Sequence, residues 1–67
     1  MNQLKYIRME KGMTQDELSK ASGVSRITIA RIEKHGRFGT LRVLINLAAA
    51  LGCKPEDLTD ELRERTA

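Results

Sequence analysis

The chain has 67 residues, a net charge of +3, 31% charged and 3% aromatic residues, one cysteine and one histidine. A domain this small buries only about 60% of the surface its unfolded chain exposes, so it usually leans on disulfides, a metal, self-association or very regular helix packing. A lone Cys53 excludes an internal disulfide, and one cysteine with one histidine cannot supply the roughly four ligands of a structural zinc site. Helix packing remains, with or without self-association, and no metal or other cofactor is expected.

In chain order, Asn2 is expected to cap a first helix that turns Leu4 and Ile7 inward and stops at Gly12. Lys5, Arg8 and Lys11 interrupt the apolar residues of that helix, so no secretory leader is expected. No apolar run approaches the roughly 20 residues of a membrane-spanning helix, and the protein is read as cytoplasmic, with no membrane contact. Thr14-Gln15-Asp16-Glu17 has the form of a capping box, predicting a second helix to about Ala21. Ser22-Gly23-Val24 follows as a tight turn, with Gly23 free to take a positive φ.

Ser25 caps a third helix from Arg26 to about Lys34, on which Ile29 and Ile32 share a face. The segment His35-Gly36-Arg37-Phe38-Gly39 reads as a loop, with Phe38 packing it onto the bundle. Thr40 caps a fourth helix whose Leu41, Leu44, Leu47, Ala48 and Leu51 form an inward stripe, completed at its flanks by Val43 and Ile45. Gly52 ends it, and Cys53 is a small packing residue. Pro55 opens a fifth helix expected over about 55–65, with Glu56 and Asp57 at its dipole-favoured start, Leu58 inward and Leu62 one turn later. Residues 1–67 thus read as one all-α domain, a compact five-helix bundle.

The segment of about 14–35 carries the function. Two short helices around a glycine turn are the signature of a helix-turn-helix. Leu18, Ala21, Val24, Ile29 and Ile32 can close a small core between them, and Ser19 is small enough to let the helices approach. With Ile29 and Ile32 inward, steps of 100° per residue point Ile27, Ala30, Arg31 and Lys34 outward and leave Arg26 at the edge.

That outward face suits a major groove. Arg31 can offer paired donors to guanine O6 and N7, worth roughly 1–3 kcal/mol of discrimination. Ile27 can press on a thymine methyl, since an isoleucine facing water has no structural use. Arg26 can reach a base or a phosphate, and its edge position equally suits a salt bridge. The helix starts capped by Thr14, Ser25 and Thr40 present amides that suit phosphate oxygens. Charge follows the same division: from Leu18 to Lys54 seven basic residues stand against Glu33 alone, whereas from Pro55 onward five acids face Arg63 and Arg65. A basic middle with an acidic end suits one face built for a polyanion and an end built for something else, the alternative being a solvated surface with chance asymmetry.

Met13-Thr14-Gln15-Asp16-Glu17-Leu18, Ser22-Gly23-Val24-Ser25-Arg26, Ile29 and Arg31-Ile32-Glu33 together resemble the Cro/Xre-type helix-turn-helix family, the lambda-repressor-like fold. The likeness continues through Leu41-Arg42-Val43-Leu44 and Leu47-Ala48-Ala49-Ala50-Leu51-Gly52 to Leu58. It implies a third helix that reads double-stranded DNA, usually as a homodimer on a two-fold symmetric operator. By position, it implies base contacts from Arg26, Ile27 and Arg31, and backbone contacts from Gln15, Thr28, Arg37, Thr40 and Arg42. Lys34 joins the backbone contacts as a phosphate-neutralising cation. Arg8 and Glu33 match a pair that bridges the first and third helices, a structural role. The chain departs from the family pattern at His35, where glycine is usual, at Gly39, where proline is usual, and at Ser19, where alanine is usual; Gly36 is then expected to take over the turn.

The resulting expectation is a sequence-specific transcriptional regulator, preferably a repressor because so short a chain leaves no room for an effector domain. The rival reading is an antitoxin or adaptor whose main partner is another protein. The region from Leu58 to Leu62 is either a dimer contact or an exposed tail. No catalytic residue is assigned, because no nucleophile has a base beside it, no paired carboxylates sit in a cleft-forming pattern and no phosphate-cradling glycine loop occurs.

Overall fold

The computed structural model describes residues 3–59, which form α1 (Leu4–Glu10), α2 (Gln15–Ser22), α3 (Arg26–His35), α4 (Leu41–Leu51) and α5 (Pro55–Leu58). The all-α, five-helix expectation holds. Local chemistry sets most of the helix boundaries. Thr14 Oγ1 accepts the Glu17 N–H at 3.0 Å while Glu17 Oε1 accepts the Thr14 N–H at 2.8 Å, the full reciprocal box. Ser25 Oγ accepts the Thr28 N–H at 3.1 Å, and Thr40 Oγ1 accepts the Val43 N–H at 3.2 Å. Thr14→Ala is expected to cost about 1 kcal/mol, because the Glu17 half of the box still holds the Thr14 N–H. A urea titration should show a lower midpoint at unchanged slope; an unmoved midpoint would show that water replaces the cap without loss.

The first helix starts differently from expectation. Asn2 lies outside the described residues, and Gln3 stands at the cap position without a side-chain bond. Its backbone N–H donates instead to the Leu58 carbonyl at 2.6 Å, tying the start of the chain to α5. At the other end, Gly12 N–H donates to Met9 O and Met13 N–H to Arg8 O, the paired bonds that close a helix through a left-handed glycine.

Gly23 makes the turn between α2 and α3 at φ 77°. A Cβ there would meet nothing within 4 Å, so the constraint is the backbone itself, roughly 1–2 kcal/mol against an L side chain. Gly36, at φ 81°, closes α3 one residue later than the expected Lys34, with His35 as the last helical residue. This is the shift anticipated from histidine standing where the related pattern has glycine.

Leu18, Ile29, Leu44 and Leu47 are fully buried at the centre, joined by Leu4, Val24, Ile32, Phe38, Ala48, Leu51 and Leu58. Phe38 sits under the loop as expected, and Met13, Val43 and Cys53 pack partly against this core. Three expectations are corrected. Ala21 is exposed rather than part of the core: it lies in the last turn of α2, where the chain is already bending away through Gly23. Leu41 and Ile45 are 44% and 47% exposed; Leu41 is the first residue of α4, one turn beyond Leu44, and Ile45 lies on the flank away from the buried stripe. The fifth helix ends at Leu58, because Thr59 is fully extended (φ −159°, ψ 156°). Leu62 lies outside the described residues.

Candidate nucleic-acid interface

The core fixes how α3 is presented. Ile29 and Ile32 are 0% and 2% exposed, and the opposite side of the same helix carries Ile27 at 70%. Arg26, Arg31 and Lys34 are exposed with it, and none of the three forms an ion pair with a described residue. Ala30, expected to face outward, is half-buried. It shares an edge of the helix with Glu33 at i+3, the edge turned toward α1.

The polar positions at the helix starts combine capping with spare donors. Thr28 is half-buried; its N–H donates to Ser25 Oγ, and its Oγ1 accepts the Ser25 hydroxyl proton at 3.0 Å. Thr28 therefore keeps its own hydroxyl proton, as does Thr40, whose oxygen accepts from Val43. A hydroxyl that accepts from its helix can still donate to a phosphate. Arg37 lies in the loop and Arg42 in the first turn of α4, both exposed and without an ion pair to a described residue. The remaining exposed pair, Lys20 with Asp16 at 3.3 Å, is a solvated i,i+4 contact of small worth.

Arg8 and Glu33 meet in the interior between α1 and α3. Arg8 Nε donates to Glu33 Oε2 at 2.7 Å and its Nη2 to Oε1 at 3.2 Å, with side chains only 11% and 5% exposed. Arg8 Nη1 donates to the Met13 carbonyl at 2.7 Å, pinning the segment that leads into α2. Gln15 Nε2 donates to Glu33 Oε1 at 3.1 Å. This last bond is not expected from the sequence, in which Gln15 stands as a DNA-backbone contact or a plain helix-starting residue. Its partners are eighteen positions apart, so no local pattern announces it.

Burial pushes the Cys53 thiol up from its ordinary range, Asp57 adds to the rise and Lys11 opposes it, which makes a poorer nucleophile rather than a better one. No group of three or more metal-ligating side chains occurs among the described residues. No described helix is long and apolar enough to cross a membrane.

The family model described as helix-turn-helix matches residues 4–58. An uncharacterized HTH-type transcriptional regulator of Methanocaldococcus jannaschii is 42% identical over 57 residues, covering 85% of this chain and 86% of the relative. One from Sinorhizobium fredii is 40% identical over 58 residues, covering 82% and 75%. One from Archaeoglobus fulgidus is 38% identical over 55 residues, covering 82% and 79%. No solved structure matches. With its two capped helices, glycine turn and shared core all falling inside the matched span, the chain belongs to the helix-turn-helix family.

Proposed function

We propose that the chain is a sequence-specific DNA-binding transcriptional regulator that acts as a repressor by laying α3 in the major groove of its operator. The observation that carries this reading is the exposed face of α3, where Ile27 at 70% exposure stands among Arg26, Arg31 and Lys34. An apolar side chain flanked by cations that have no ion pair to a described residue fits base edges and phosphates better than it fits water. Arg26, Ile27 and Arg31 read bases. Gln15, Thr28, Lys34, Arg37, Thr40 and Arg42 hold the backbone on either side. Two copies on a two-fold symmetric site would place their recognition helices one turn of DNA, about 34 Å, apart. The relatives' names as transcriptional regulators support the same role.

Selection of duplexes from a random pool, with excess competitor DNA and salt near physiological strength, tests the reading. Enrichment of a symmetric site supports the dimeric reader, a single enriched half-site supports a monomeric one, and no enrichment removes sequence-specific reading. On the selected site, Arg31→Ala is expected to cost about 1–3 kcal/mol and to relax preference at one base pair. Equal losses on selected and random DNA would assign Arg31 to phosphate instead.

A second reading, an antitoxin or adaptor with a protein partner, is favoured by one observation. Leu41 and Ile45, at i and i+4 on α4, are both nearly half-exposed. Co-purification of the chain with one stoichiometric protein, blocked by Ile45→Glu, would establish it.

A further inference from the structure

We propose that Glu33 is a positioning residue for DNA binding, holding the Gln15 amide in the orientation in which it meets a backbone phosphate. The inference rests on the reading of the chain as a DNA binder. Gln15 is the first residue of α2 and is half-buried. Left to itself, a glutamine side chain samples many rotamers, and ordering it on a ligand costs free energy. Here it is already ordered, because its Nε2 donates to Glu33 Oε1 at 3.1 Å. Glu33 in turn cannot swing, because the Arg8 guanidinium grips both of its oxygens and the same guanidinium holds the Met13 carbonyl.

The chemistry of the carboxylate sets the direction of the amide. A carboxylate only accepts, so the nitrogen end of Gln15, not its oxygen, must face Glu33. One N–H is used in that bond and the second remains on the same nitrogen, at a fixed angle to the first. A phosphate also only accepts, so the second N–H is the group Gln15 can give it. With glutamine at position 33 the amide could turn either end inward, so the second N–H would no longer be held at one place and angle. The buried pair between α1 and α3 is thereby connected to the DNA face: Arg8 orders Glu33, and Glu33 orders Gln15.

The test has two arms. In the free protein, the side-chain amide protons of Gln15 in a nitrogen-edited NMR spectrum should be shifted away from those of solvated glutamines. In Glu33→Gln they should move toward them, whereas a solvated position in the wild type overturns the anchoring. In the second arm, DNA affinity is measured for wild type, Gln15→Ala, Glu33→Gln and the double variant, at a temperature where circular dichroism shows all four folded. Gln15→Ala is expected to weaken binding about tenfold on any sequence, the size of one lost hydrogen bond to a charged group. Glu33→Gln should weaken wild type by several-fold, yet change the Gln15→Ala protein by less than about twofold. A purely structural role for Glu33 would give the same loss in both backgrounds, and that result overturns the proposal while leaving the DNA reading intact. If the wild type binds no duplex, the DNA reading fails and the inference falls with it, even where the NMR arm confirms the anchored amide.

Discussion

Arg8→Ala is expected to remove about 3–5 kcal/mol of stability, a large share of what a domain this small has. The size comes from what the substitution strands. Glu33, with a side chain 5% exposed, would keep its charge in the interior with Gln15 as its one remaining side-chain donor among the described residues. The Met13 carbonyl would lose its guanidinium partner as well. A chain of 67 residues has a total stability of roughly 3–10 kcal/mol at 0.05–0.15 kcal/mol per residue, so one such loss takes a third of it or all of it. For a domain this small the melting temperature should fall by on the order of 20 °C.

The opposite substitution separates stability from function. Replacing both charges at once, Arg8→Met with Glu33→Leu, leaves no buried charge unpaired, and swaps of this kind are often close to neutral. Most of the stability lost in Arg8→Ala should return, less the part owed to Met13. A double variant no more stable than Arg8→Ala would mean that the pair also sets the angle between α1 and α3, and an Arg8→Ala protein that melts within a few degrees of wild type would mean that water reaches Glu33 freely. If the folded double variant binds DNA more weakly than wild type, the ion pair is kept for the sake of Gln15 rather than for the fold.

What could be read in advance follows the range of the interactions. Capping at Thr14, Ser25 and Thr40 involves residues three apart, and the turn at Gly23 depends on one dihedral angle; both are written in the local pattern and both are present. The helical period also reveals Ile29 and Ile32 as core and Ile27 as surface. Periodicity does not reveal where a neighbour ends. Leu41 continues the line of Leu44 and Leu51, but it starts α4 and remains 44% exposed. Ala21 fails for a related reason, lying on the right side of α2 at the end where the chain departs. The start of α1 is held by Leu58, more than fifty positions away, rather than by a cap of its own, and no local rule could have found that contact. At the candidate interface, helical spacing places Ile27, Arg31 and Lys34. The pairing of Arg8 with Glu33 is known in advance only through the family resemblance, and the attachment of Gln15 to that pair only through the structure.

Raising salt from 50 to 200 mM is expected to weaken DNA binding by about three orders of magnitude if two copies bind, and by about forty-fold if one does. The difference follows from counting phosphates. Lys34, Arg37 and Arg42 are exposed and have no ion pair to a described residue, so each is free to neutralise one phosphate and release its condensed counterion. Log affinity then falls against log salt with a slope of about −0.9 for each contact, giving roughly −3 for one protomer and −5 for a symmetric pair. Arg31 adds little to this slope if it lies on guanine, and Gln15 adds none, because it is neutral. Arg42→Ala should therefore reduce the slope by about one unit in a monomeric complex and about two in a dimeric one, while Gln15→Ala lowers affinity at every salt concentration without tilting the line. A wild-type slope shallower than about −1 would mean that these cations do not lie on phosphates, and α3 would then have to face something other than DNA. A slope that stays near −5 in Arg42→Ala would move that contact to another basic residue, with Arg26 at the helix edge the first to test.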